Sequence, residues 1–212
     1  MSVLIKLAPG EELAPETLGR VAEAAKACKI VAFPTDTVYG LGSTALIKAA
    51  LRKIYQIKGR SALKPLPILV PSAQEARRWV QWTPAAELLA RRFWPGALTL
   101  VLKPTREGRL LTFPEYQTLA IRAPNHPLLL KLLEASGVPW ASTSANLSGS
   151  PALAEGSEVA KRFAGLADFI LDAGPAPGRE STIVEATNVP VRFLREGAVP
   201  REEILEALKQ TV

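Results

Sequence analysis

The chain contains very few of the residues that form disulfides, metal centres and acid–base pairs. One cysteine, Cys28, and one histidine, His126, occur in 212 residues. A single cysteine cannot form an internal disulfide, and no cluster has the spacing of zinc ligands. We therefore predict no disulfide and no protein-held metal. Cys28 is expected to be a small core residue, and His126 a structural or helix-capping residue rather than a base.

Long hydrophobic runs are also missing. Residues 1–7 lack the pattern of a cleavable signal, and no apolar run approaches the roughly 20 residues that span a membrane. We therefore expect a soluble, cytoplasmic protein without membrane contact. With 48% hydrophobic and 22% charged residues, the sequence suits a single domain over residues 1–212 with a full core.

Basic residues outnumber acidic ones, 26 Lys and Arg against 20 Asp and Glu, which gives a formal net charge of +6. This balance favours anionic partners such as nucleotides, pyrophosphate or RNA, although general solubility explains it equally well. Aromatic residues make up only 6% of the chain, and no basic and aromatic platform for stacked bases is evident. An RNA-binding module is therefore an alternative that the composition disfavours.

Segments with helical periodicity alternate with short apolar strands, which predicts an α/β fold with a mixed sheet. The predicted helices are residues 16–27, 47–58, 72–80, 83–94, 125–136, 158–164 and 200–210. The predicted strands are residues 30–33, 68–70, 98–102, 118–121, 140–142, 169–171, 182–184 and 191–194.

Residues 33–42, with the sequence FPTDTVYGLG, are the most informative stretch. The buried strand that ends at Phe33 stops at a proline and passes at once into hydroxyls, one carboxylate and two glycines. Open α/β sheets build ligand sites from polar groups at strand ends. A local turn with side-chain-to-backbone hydrogen bonds explains this segment alone equally well.

The glycines Gly40 and Gly42 match a dinucleotide-binding fingerprint by letter. That fingerprint needs a strand directly before it and an acidic residue about 20 positions later, and both are missing. We therefore reject the fingerprint and predict that the two glycines allow a tight chain reversal.

Two further polar clusters follow. Lys58 suits a helix C-terminus, but Arg60 and Lys64 continue past the helix end, where a guanidinium fork and ammonium charges favour anion binding over a solvated charge run. Residues 142–146, STSAN, follow a predicted strand and offer hydroxyls and an amide. Taken alone, this second cluster is better explained as a Ser/Asn turn.

Together the three clusters resemble the YrdC family of threonylcarbamoyl-AMP synthases, over about residues 10 to 200. The resemblance implies a twisted open sheet with flanking helices and a concave basic groove. It also implies a reaction in which L-threonine, bicarbonate and ATP give threonylcarbamoyl-AMP and pyrophosphate for a tRNA modification. Ser61 stands where the family usually has proline, and Pro67 where an aliphatic or polar residue is more usual. Longer members carry a C-terminal domain, for which we expect no room here.

The resemblance also implies roles for individual residues. Catalytic and phosphate-binding roles fall to Lys58 and Arg60. Threonine binding falls to Thr35, Arg122, Ser142 and Thr182, and nucleotide binding to Ser144, Asn146, Ser181 and Arg195, with Lys58 and Arg60. Mg²⁺ is implied as a companion of ATP, and the implied downstream partner is a tRNA-modifying transferase complex. Any RNA binding should be weak. A carbamoyl-adenylate-forming domain related to hydrogenase maturation is the other alternative, although such proteins are far longer.

Overall fold

Ten strands and seven helices alternate along the part of the chain that the structure, a computed structural model, describes: residues 1–8, 10–59 and 65–209. The strands are β1 Val3–Lys6, β2 Val31–Phe33, β3 Gly40–Thr44, β4 Ile68–Leu69, β5 Leu98–Leu102, β6 Leu119–Arg122, β7 Trp140–Ser144, β8 Phe169–Asp172, β9 Thr182–Glu185 and β10 Arg192–Arg195. The helices are α1 Pro15–Lys26, α2 Lys48–Lys58, α3 Ala73–Trp79, α4 Pro84–Phe93, α5 Pro127–Ser136, α6 Gly156–Phe163 and α7 Arg201–Lys209, and Gly108–Leu111 form a short 3-10 helix.

The strands form one sheet in the order β1-β8-β2-β3-β7-β4-β6-β5-β9-β10. The pairs β1/β8, β8/β2, β4/β6 and β5/β9 are parallel and the other neighbours are antiparallel. The predicted α/β class with a mixed sheet and flanking helices is confirmed. Every predicted helix and strand is present, with ends displaced by at most two residues, as is usual at frayed termini.

The two faces of the sheet are covered differently. Helices α1 and α5 pack together over one face, against a cluster that includes Phe33 and Trp140. The other helices pack on the opposite face, against a cluster that includes Ile68, Leu100 and Ile121. Helices α1 and α5 cover only part of their face. The part of that face formed by β4, β6, β5, β9 and β10 is left open for a site.

The strand β3 was not predicted, and the expectation of a tight reversal at Gly40 and Gly42 is wrong. Residues Gly40–Thr44 run between β2 and β7 and are buried throughout. A Cβ atom on Gly40 would lie 2.7 Å from Cε2 of Phe33, and one on Gly42 would lie 2.9 Å from Cε1 of the same ring. The glycines are therefore needed because an aromatic ring lies across the strand, not because the chain turns there.

Smaller differences occur at the N-terminus and after α1. The edge strand β1 was also missed; it pairs in parallel with β8. Cys28 is half-buried, with a φ of 64°, in the turn after α1. It does not belong to either core cluster, so the expectation of a core residue is wrong.

Predicted helix ends that rest on a capping residue are confirmed. The Ser72 hydroxyl accepts a hydrogen bond from the Glu75 amide at the start of α3, and Gly59 ends α2 in the left-handed conformation. Of the helices in the described residues, none is both long and apolar enough to cross a bilayer.

Candidate functional site

A polar cavity of about 200 Å³ lies over the uncovered part of the sheet. It is lined by six of the predicted site residues, namely Thr35, Arg122, Ser142, Ser144, Ser181 and Arg195. Further lining residues that were not predicted include Thr37, Tyr39, Thr99, Thr143 and Glu180.

Strand register explains why these residues meet. Arg122 pairs with Leu69, and Leu69 pairs with Trp140, so all three side chains point to the face that carries α1 and α5. Ile183 pairs with both Thr99 and Arg195, which places these residues on the same face. The site therefore lies on a sheet face, with the segment after β2 folded over it. Arg122, Ser144 and Arg195 are the last residues of their strands, so polar groups at strand ends do contribute to the site, as the sequence suggested.

Arg122 is the most buried charged group in the cavity wall, with 6% of its surface exposed. Its Nε donates to the Gly96 carbonyl at 2.9 Å, Nη1 donates to the Thr37 hydroxyl at 3.1 Å, and Nη2 donates to Oδ1 of Asp36 at 2.6 Å. Burial lowers the pKa of Arg122 and the Asp36 carboxylate opposes that shift. Arginine is not deprotonated in proteins, so Arg122 is a cation.

The Thr35 hydroxyl is held in a local network. It donates to the Val38 carbonyl at 2.7 Å and accepts from the Thr37 amide at 3.0 Å, and the two threonine hydroxyls lie 2.8 Å apart. Both explanations of the 33–42 segment therefore apply: it forms a side-chain-to-backbone turn, and that turn lines a cavity. The turn holds the Thr37 hydroxyl in place, where it accepts a hydrogen bond from Arg122.

Lys58, Ser144 and Asn146 form a second network beside the cavity. The Lys58 ammonium donates to the Ser144 carbonyl at 2.8 Å and to Oδ1 of Asn146, which also accepts from the Ser144 hydroxyl at 2.7 Å. The Ser148 amide donates to the Lys58 carbonyl at 3.1 Å. The end of α2 is thereby joined to the loop after β7. Lys58 and Asn146 stand behind Ser144 and do not line the cavity themselves.

Ser142 carries the least engaged of the predicted hydroxyls. Its Oγ lies 3.5 Å from the Pro67 carbonyl, which is at the limit of a hydrogen bond, and it lines the cavity. Ser181 is better held: its hydroxyl lies 2.8 Å from that of Thr99 and accepts from Arg195 at 3.1 Å. Arg195 also pairs with Glu180 at 2.9 Å.

Thr182 does not reach the cavity, unlike its predicted threonine-binding neighbours. Its hydroxyl donates to the Val199 carbonyl at 2.6 Å and accepts from the Gly197 amide at 2.9 Å, and the side chain is fully buried. Adjacent strand residues point to opposite faces, so Ser181 faces the cavity and Thr182 the core. The predicted residues Arg60 and Lys64 lie outside the described residues.

The two cavity arginines are both ion-paired with carboxylates, Asp36 and Glu180. The concave basic groove that the sequence implied therefore stays a prediction. Within the described ranges, no cluster of three or more histidine, cysteine or carboxylate residues could hold a metal ion. His126 precedes α5 without a side-chain capping bond, and burial lowers its pKa.

Sequence reasoning did not single out Asp36 or Glu180 as site residues. A signal for Asp36 was present, because it is the only acidic residue between Glu23 and Glu75 in a segment rich in lysine and arginine. Thr37 stands in the polar stretch of residues 33–42 that the sequence analysis singled out, two positions after Thr35. Thr99 and Glu180 gave none, since only the strand order brings them to the cavity.

Comparison with known proteins shows the family of this chain. The Sua5/YciO/YrdC family model, described as telomere recombination, matches residues 23–197. The threonylcarbamoyl-AMP synthases of Pyrococcus abyssi and Bacillus subtilis are 43% and 42% identical to this chain, over 83% of it and 52% of each relative. The chain thus spans about half the length of these curated relatives. The crystal structure of P. abyssi Sua5 complexed with L-threonine matches 98% of this chain and 61% of that one, with a TM-score of 0.91 and 38% identity. The chain therefore belongs to the Sua5/YciO/YrdC family.

Proposed function

We propose that this chain is an L-threonylcarbamoyladenylate synthase, which forms threonylcarbamoyl-AMP and pyrophosphate from L-threonine, bicarbonate and ATP. The observation that carries the proposal is the buried guanidinium of Arg122, which lines a small polar cavity beside the weakly engaged hydroxyl of Ser142. Support comes from the relatives named threonylcarbamoyl-AMP synthase and from the matching fold that was solved with L-threonine.

In this proposal the amino acid lies against Arg122. A guanidinium offers fixed donors that match the two oxygens of a carboxylate. Ser142 and the Thr35–Thr37 turn supply hydroxyl groups close by, which suits a substrate that carries a hydroxyl itself. A cavity of about 200 Å³ suits a small amino acid better than a whole nucleotide.

The nucleotide would extend from the cavity toward Ser144, Asn146, Ser181 and Arg195. The neutral threonine amine adds to CO₂ to give a carbamate, and the proton that the amine loses is taken up as bicarbonate is converted to CO₂ and water. A carbamate oxygen then forms a bond to the α-phosphorus as the bond between that phosphorus and the oxygen bridging to the β-phosphate breaks. Pyrophosphate leaves with the electron pair. Such chemistry depends on positioning and on offsetting negative charge. The described residues offer Lys58 and Arg195 for this purpose, and Arg60 remains the predicted third cation.

Mg²⁺ would arrive bound to ATP, since phosphate oxygens and water are its preferred ligands. It would offset phosphate charge during the transfer. The carboxylates nearest the cavity, Asp36 and Glu180, are each paired with an arginine, which fits a metal carried by the substrate better than one held by the protein. Delivery of the product to a tRNA-modifying transferase complex and a cytoplasmic location are further parts of the proposal.

The RNA-binding module and the domain related to hydrogenase maturation are less well supported. The cavity arginines Arg122 and Arg195 are each paired with a carboxylate, so the cavity offers a polyanion little uncompensated positive charge. The curated relatives reported above also carry the synthase name.

The choice of amino acid tests the proposal. We expect pyrophosphate release with ATP, Mg²⁺ and bicarbonate to be fastest with L-threonine, intermediate with L-serine and at least about a hundredfold slower with L-alanine. A site that hydrogen-bonds a hydroxyl is left with unpaired polar groups by an analogue that lacks it. Steady-state kcat/KM for the three amino acids gives the comparison, and omission of bicarbonate is the control. Equal rates with alanine and threonine would contradict the threonine assignment.

A further inference from the structure

The carboxylate of Asp36 lies behind the cavity and does not line it. Its side chain is 14% exposed, and its Oδ1 atom accepts from Nη2 of Arg122 at 2.6 Å. The two residues are 86 positions apart in sequence. Burying such an ion pair is costly, because the desolvation of both charges offsets much of their attraction. Stability alone therefore does not explain Asp36.

The hydrogen bonds of Arg122 show what this carboxylate does. Nε is held by Gly96, Nη1 by Thr37 and Nη2 by Asp36, so each of the three nitrogens has one partner. A guanidinium has five N–H groups, and three of them are used in this way. Within the described residues, one N–H on each terminal nitrogen has no protein partner. These two donors belong to a side chain that lines the cavity.

The three anchors come from separate parts of the fold. Gly96 follows α4, whereas Asp36 and Thr37 lie in the segment between β2 and β3. Anchors on different elements fix both the position and the plane of the guanidinium. Asp36 supplies the shortest of the three bonds and the charged one, and charge-assisted hydrogen bonds are the strongest type.

We propose that Asp36 is a positioning residue, which orients Arg122 so that its two remaining N–H groups present a fork to a substrate carboxylate. Asp36 does not touch the substrate in this arrangement. Because it also neutralises Arg122, the cavity selects a carboxylate by geometry more than by net charge. The inference rests on the proposed function and assigns a residue that sets how the amino acid is held.

The test compares Asp36→Ala with Asp36→Asn. Alanine removes the acceptor, whereas asparagine keeps an oxygen at the same place without the charge. We expect Asp36→Ala to raise the Michaelis constant for L-threonine by roughly ten- to a hundredfold, with that for ATP changed less than about twofold. Asp36→Asn should restore much of the loss. Asp168→Ala is the matched control, because Asp168 accepts a hydrogen bond from the Ile30 amide at 2.8 Å and does not line the cavity.

A binding measurement separates this inference from the proposed function. Thermal melting of each variant is followed with L-threonine and with L-threoninol, which lacks the carboxylate. L-threonine should stabilise the wild type and Asp168→Ala, should lose this effect in Asp36→Ala and regain it in Asp36→Asn, and L-threoninol should have no effect on any of them.

Three results decide between the claims. If the wild type releases pyrophosphate but Asp36→Ala keeps or lowers its Michaelis constant for L-threonine, the positioning role is wrong and the proposed function stands. If L-threonine stabilises the wild type through Asp36 but no pyrophosphate forms, the proposed function fails and the positioning role stands. If L-threonine has no effect on wild-type melting, or L-threoninol acts equally, the carboxylate fork is wrong.

Discussion

Arg122→Met is expected to abolish most threonine-dependent pyrophosphate release while the protein stays folded. Two charge-assisted hydrogen bonds to a carboxylate contribute about 1.5–3 kcal/mol each, so kcat/KM for L-threonine should fall by roughly a hundred- to ten-thousandfold. Arg122→Lys should also lose more than about tenfold, because lysine keeps the charge but not the planar fork. Steady-state kinetics in L-threonine and in ATP measure both effects.

The matched control is Arg192→Met. Arg192 lies on β10, like the cavity residue Arg195, but its side chain is 74% exposed and pairs with Glu185. Its loss should leave activity unchanged, since an exposed ion pair contributes little. Melting temperatures of all variants are needed, because Arg122→Met leaves Asp36 buried without its partner. A folded Arg122→Met protein with activity within threefold of wild type would show that Arg122 does not hold the substrate.

Gly40→Ala is expected to lower stability by about 1–3 kcal/mol, which corresponds to a fall of roughly 3–10 °C in melting temperature for a chain of this size. The three nearest atoms to an added Cβ all belong to the Phe33 ring, at 2.7 to 3.4 Å, so the ring must move. Phe33 and Gly40 both line the cavity, and activity should therefore fall as well.

A second substitution tests the cause. Phe33→Leu removes the ring edge, so Gly40→Ala should cost less in that background than in the wild type, which a double-mutant cycle measures. Gly19→Ala is the control, because Gly19 lies inside α1 with nothing within 4 Å of an added Cβ, and alanine there should be neutral or stabilising. Equal losses in both backgrounds would mean that the Phe33 ring is not what excludes a side chain.

Periodicity predicted most of the fold, because buried strands such as Leu98–Leu102 and amphipathic helices such as α1 carry their pattern locally. It failed at β3, whose sequence GLGST has the composition of a turn. The need for glycine there comes from Phe33 on the neighbouring strand, and a single sequence does not reveal which residues face each other. The edge strand β1 gave no clear signal either, because most of its residues are exposed and it has no buried face to produce a regular alternation.

The candidate site was also predicted only in part. Resemblance identified Thr35, Arg122, Ser142, Ser144, Ser181 and Arg195, which the fold does bring to one cavity. Their roles in binding stay predictions until they are measured. Ser181 directly precedes β9, and consecutive residues in extended backbone point to opposite faces, so Ser181 and Thr182 do not line the same cavity. Contacts such as Asp36 with Arg122 depend on strand order and could not be inferred from spacing.

The identity of the nucleotide product decides whether this chain is a threonylcarbamoyl-AMP synthase. The protein is incubated with ATP, Mg²⁺, L-threonine and ¹³C-labelled bicarbonate, and the products are analysed by mass spectrometry immediately after mixing. We expect an adenylate that carries one threonine and one ¹³C atom, formed in equal amount to pyrophosphate and absent when L-threonine is omitted. Pyrophosphate release that is independent of L-threonine, or an adenylate without the ¹³C label, would contradict it.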